Sequence, residues 1–104
     1  MREAVIVSTA RTPLTKSHRG EFNITPGPTL AAFAVNAAVA RAKIDPALID
    51  DAVLGCGYPE GITGRNIARQ VVIRSELPLS IAGLCSTIHG SVPLSNTSRR
   101  CTWR

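Results

Sequence analysis

Three cysteines and two histidines are the side chains of this 104-residue sequence best suited to covalent or metal chemistry, and their spacing restricts both. Cys56, Cys85 and Cys101 are odd in number and far apart, with no C-x-x-C pair, so neither a disulfide framework nor a zinc knuckle is suggested. His18 and His89 stand away from any cysteine or carboxylate at ligand spacing, which favours loop or surface roles, and no metal ligand is assigned. For Cys56, at the end of an apolar run and beside small residues, a buried structural thiol is the default. Cys85, in G-L-C-S-T, could open a helix whose amide ends favour a thiolate, which makes it a candidate nucleophile. No evident base accompanies it, so no residue is assigned a catalytic role and the cofactor-binding residues stay unknown.

The glycines raise a second chemistry. Gly55, Gly57 and Gly61 form G-x-G-x-x-x-G, one residue too long for a dinucleotide fingerprint, with Glu60 where a glycine would approach a pyrophosphate. A carboxylate there repels phosphate, and no G-K-[ST] is present for a P-loop. A turn between a strand and a helix explains the glycines better.

That turn belongs to the unit around which the chain is organised, residues 52–74. Ala52, Val53 and Leu54 form an apolar run, Gly55 to Gly64 a glycine-rich bend, and Ile67, Ala68, Val71 and Val72 the spacing of a helix face. Such a loop lies at the carboxyl end of a strand, where α/β proteins place ligands.

The remaining elements support this unit. Residues 4–8 (AVIVS) are continuously apolar and β-branched, as in a strand covered on both faces, and are expected to pair in parallel with residues 52–56. Residues 9–28 are an irregular excursion carrying Arg11, Lys16, His18 and Arg19, able to meet a phosphate-bearing ligand or an acidic partner, or simply solvated. A helix follows, with Thr29 as its expected N-cap and Leu30, Phe33, Ala34, Ala37, Ala38 and Ala42 on one side; Arg41 and Lys43 suit its negative end. Asp45 and Pro46 signal a short helical turn. Glu76, Leu77 and Pro78 end the second helix, and residues 79–82 could begin a further strand. From Ser86 onward seven of nineteen residues are Ser or Thr, acids are absent and no periodicity persists, so no stable element is expected.

Composition narrows the function classes. The net charge is +5, but residues 1–76 hold nine basic against seven acidic groups, and the remaining excess is Arg99, Arg100 and Arg104. With four aromatics in all and no basic stripe among them, nucleic-acid binding is disfavoured; a basic-tailed binding module would rest on those three arginines alone. The apolar stretch after Arg2 and Glu3 is too short for a signal sequence, and no run approaches the length of a membrane span. Cysteine usage fits a reducing, cytoplasmic setting.

REAVIVSTARTP at the start, RGEF ending at Phe22, PTLAA ending at Ala32, DDAVLGC ending at Cys56, and GRNIARQ followed by Leu77 and Pro78 resemble, in order, the amino-terminal part of a thiolase. The likeness is to the degradative acetyl-CoA acyltransferases, the 3-ketoacyl-CoA thiolases of fatty acid β-oxidation. It implies an α/β fold, here an incomplete one of mainly parallel strands with crossover helices. It also implies thiolytic cleavage or formation of 3-ketoacyl-CoA, with acyl-CoA and coenzyme A as substrates and no permanently bound cofactor. The family's nucleophilic cysteine sits in a block similar to N-R-x-C-[SA]-S-G-L-Q, expected near Gly90; Cys85 comes five residues early and its neighbours do not reproduce the block. The family's histidine and second cysteine belong to a carboxyl-terminal half that these residues do not include. The expected organisation is therefore a partial thiolase amino-terminal domain over residues 1–83 and a non-homologous, disordered tail over 84–104, as from a frameshift or mis-spliced reading. A truncated, inactive acyltransferase follows, with a non-catalytic fragment bound to full-length subunits as the alternative; a family-like homo-oligomer is doubtful for such a chain, and no nucleic-acid or membrane partner is expected.

Overall fold

The computed structural model describes residues 3–87. Within them a two-stranded parallel sheet carries two helices, which is the expected α/β class. Helix α1 spans Gly27–Ala42, strand β1 Asp51–Cys56, helix α2 Ile67–Arg74 and strand β2 Ala82–Thr87, with single 3₁₀ turns at Glu21–Ile24, Pro46–Leu48 and Gly61–Thr63.

Helix α2 is the centre of the core. It packs against α1 on one side and against both strands on the other. Its apolar face, Ile67, Ala68, Val71 and Val72, is the one the spacing predicts, and all four residues are buried. Val72 joins Leu77 and Ile81 in a cluster against which Val35, Ile49 and Ala52 pack. Burial of such aliphatic side chains contributes about 1.5–3 kcal/mol each, so a small α/β unit of this size depends on these few positions.

Sequence signals at the helix ends are partly realised. Asp45 accepts a hydrogen bond from the Ala47 amide at 3.0 Å, with Pro46 in the first position, as its short turn requires. Thr29, expected as the N-cap of α1, instead lies inside it; the helix starts at Gly27 after Pro26, and the Thr29 hydroxyl accepts from the Arg74 guanidinium at 2.6 Å. Pro28 explains the difference, because its missing amide and fixed φ suit the first turn, which moves the start upstream of Thr29. Phe33, counted on the apolar side, is largely exposed.

The expected pairing of residues 4–8 with the central strand is not what forms. These residues pair with no strand among the described residues, and Val5, Ile6 and Val7 are exposed at 75%, 87% and 67%. A strand is defined by its ladder, and the ladder of β1 goes to β2, from Asp51 opposite Ala82 to Cys56 opposite Thr87. The Arg41 guanidinium donates to the Thr9 carbonyl at 3.0 Å, which ties the end of the apolar segment to the last turn of α1. The parallel arrangement thus holds, and the partner differs.

Strand β2 also corrects the expected end of regular structure. Residues 84–87, expected to belong to the disordered tail, lie in the strand, opposite residues 53–56. The backbone pairing that β1 offers makes them a strand where no alternating pattern marks one. The rest of the expected tail, residues 88–104, lies outside the described residues.

Candidate functional site at the carboxyl edge of the sheet

Both strands run toward the same edge, where Cys56 and the glycine loop lie, with Cys85 two residues short of the end of β2. The loop is tied down by its own side chains. The Thr63 hydroxyl lies 2.7 Å from the Tyr58 carbonyl and 3.0 Å from that of Glu60, and the Gln70 amide donates to the Gly64 carbonyl at 3.0 Å. Gly61 adopts φ +58°, a left-handed conformation that glycine takes without strain.

The next residues carry β2 into place. Asn66 caps α2, its side-chain oxygen accepting from the Arg69 amide at 3.2 Å, while its side-chain nitrogen donates to the Gly83 carbonyl at 2.7 Å. One side chain therefore fixes both the start of the helix and the strand beside it. Arg69 completes the clamp by donating from one guanidinium nitrogen to the carbonyls of Leu79 at 3.0 Å and Ile81 at 2.8 Å. Its charge is used on backbone, just where the chain turns from α2 into β2.

Gly83 sits directly under α2. A Cβ there would lie 2.6 Å from the Arg69 nitrogen and 3.0 Å from the Ala68 carbonyl carbon, so strand and helix backbones meet without an intervening side chain. By alternation Cys85 points to the same face as Gly83, and it pairs with Leu54. Cys85 is a free, half-buried thiol in the body of a strand, not the opening residue of a helix, and none of the side-chain hydrogen bonds among the described residues involves it. The ladder that makes it a strand residue is also what the local sequence G-L-C-S-T does not reveal.

Cys56 is likewise free and half-buried, at the end of β1. His18 lies on an exposed turn with φ 71°, its backbone amide bonded to the Asn23 side chain, and Arg11, Lys16 and Arg19 are exposed as well. His89 and Cys101 lie outside the described residues. Among the described residues no group of three or more metal-ligating side chains occurs, and no helix is long and apolar enough to cross a membrane. Sequence reasoning missed the roles of Asn66, Arg69 and Gln70; their cue was the polar spacing within GRNIARQ, legible only once the neighbouring carbonyls are located.

Comparison with known proteins points to one family. The family described as thiolase, N-terminal domain matches residues 4–89. The chain is 38% identical over 81 residues to the 3-ketoacyl-CoA thiolase of Saccharophagus degradans, covering 77% of this chain and 21% of that protein. It is 37% identical over 84 residues to the 3-ketoacyl-CoA thiolase of Bacillus subtilis, covering 81% and 22%. Against the acetyl-CoA acetyltransferase of Clostridioides difficile it is 39% identical over 79 residues, covering 76% and 72%. The chain thus spans about a fifth of the length of the first two relatives.

Proposed function

The chain belongs to the thiolase family through its amino-terminal domain, and on that premise we propose that it supplies the scaffold of a thiolase site without performing the chemistry on its own. The family reaction cleaves or forms 3-ketoacyl-CoA using coenzyme A, the acyl group passing through a cysteine thioester. In this reading acyl-CoA and coenzyme A are the substrates of the site, no cofactor is resident, and neither nucleic acid nor a membrane takes part. The setting is the cytoplasm, and the pathway is fatty acid β-oxidation.

The observation that carries the proposal is the placement of Cys85. A nucleophile in acyl transfer needs an approach path and a base oriented toward it. Cys85 is instead a half-buried mid-strand residue to which no side chain among the described residues is hydrogen-bonded, so no base is oriented toward it. The residues of GRNIARQ support a positioning role, since their side chains hold β2 and the loop before α2. Incubation of the 104-residue chain with acetoacetyl-CoA, followed by intact-mass measurement, is expected to leave the protein unmodified. An added acetyl group localised to Cys85 or Cys56 would overturn the reading.

The division into a thiolase-like body and an end of other origin belongs to the same proposal, with the boundary placed beyond β2 rather than at Gly83. It is supported by the Ser/Thr-rich, acid-free composition of residues 88–104 and by the absence of a matching nucleophile block near Gly90. Reading the coding DNA in its other frames beyond the codon for Thr87 is expected to uncover a cysteine block of the N-R-x-C type. Absence of such a block from both other forward frames would remove the frameshift explanation.

A further inference from the structure

Two free thiols share one face of the sheet. Leu54 is the ladder partner of Cys85, and Cys56 follows Leu54 by two residues, so Cys56 and Cys85 are diagonal neighbours on the face that meets α2. With strands about 4.8 Å apart and a rise of about 3.3 Å per residue, their Cα atoms are separated by about 8 Å. A disulfide needs Cα atoms no more than about 7 Å apart, and both strands are fixed by the same ladder, so the pair is too wide to oxidise to a bridge without moving backbone.

The separation suits a longer bridge. A soft ion held by two thiolates through bonds of about 2.3 Å, as in zinc–thiolate sites, sets the sulfurs about 4.6 Å apart where a disulfide sets them about 2 Å apart. The added reach compensates for the diagonal. Two sulfur donors, with no third ligating side chain grouped with them among the described residues, match a two-coordinate soft ion rather than a tetrahedral one. Both thiols are half-buried rather than sealed, so an ion can enter from the carboxyl edge.

We propose that Cys56 and Cys85 form a dithiol site for a monovalent soft ion, Cu(I), at the carboxyl edge of the sheet. On binding, each thiol gives up one proton and the two thiolates donate to the ion, leaving a bis-thiolate complex with one net negative charge; no electron is transferred. This site is independent of acyl transfer.

The test is an anaerobic titration of the full 104-residue chain with Cu(I) against a colorimetric chelator. One equivalent per chain is expected to be withdrawn, with the uptake lost in C56S, C56A, C85S and C85A and kept in C101S. Uptake that survives loss of either Cys56 or Cys85, that disappears in C101S, or that never exceeds the C56S/C85S double variant would overturn the proposal. A parallel readout is air oxidation followed by tryptic mapping: Cys56 and Cys85 fall on different peptides, and these are expected to remain unlinked. A linked pair would show the thiols closer than the ladder places them and would likewise overturn it.

Discussion

Alanine at position 83 is expected to separate β2 from α2 and to cost at least about 3 kcal/mol, at the upper end of overpacking penalties. The added methyl would meet the Arg69 nitrogen at 2.6 Å and the Arg69 Cα at 2.8 Å. Those are helix backbone atoms, which cannot swing aside as a flexible side chain would. The strand must therefore move outward, and three dependent features go with it: the bond from Asn66 to the Gly83 carbonyl, the burial of Ile81, and the pairing of Cys85 with Leu54. Urea denaturation of the two proteins checks the expectation. A Gly83→Ala variant within about 0.5 kcal/mol of the parent, the scale of an ordinary surface change, would mean that strand and helix are not in backbone contact.

Arg69→Met should produce the second-largest loss, about 2–4 kcal/mol, from two hydrogen bonds made by a charged donor. Methionine keeps much of the aliphatic stem, so the change isolates the guanidinium. Without it the carbonyls of Leu79 and Ile81 lose their partner at the turn that delivers β2, and Ile81 is 1% exposed. Hydrogen exchange provides a local reading beside global stability. Faster exchange is expected first in residues 81–87, with α2 amides less affected. Uniform acceleration across the whole domain would argue for a general packing defect rather than loss of this clamp.

Helix α2 was legible because four apolar residues at helical spacing have one physical outcome, burial on one face. The central strand was legible for a similar reason, as an apolar run ending in glycine. Its partner was not. Residues 4–8 have the stronger β composition, yet β2, containing Gly83, Cys85, Ser86 and Thr87, takes the ladder. Pairing depends on where the connection returns the chain, and that is decided by Asn66 and Arg69 acting on carbonyls 10 to 17 residues away. Backbone carbonyls leave no mark in a sequence, so the two side chains read only as polar residues of a motif. The candidate site shows the same division. Cys56 and Cys85 were visible as cysteines, while their shared face follows from a register that no local pattern encodes.

What is proposed is a thiolase-site frame that does not catalyse by itself. Its most direct test follows thiolysis of acetoacetyl-CoA by coenzyme A at the absorbance of the enolate, using the purified 104-residue chain beside its Cys85→Ala variant. Identical traces are expected, both at the rate of buffer alone. Turnover by the parent chain that is lost in Cys85→Ala would contradict it, because a mid-strand thiol would then be serving as the nucleophile.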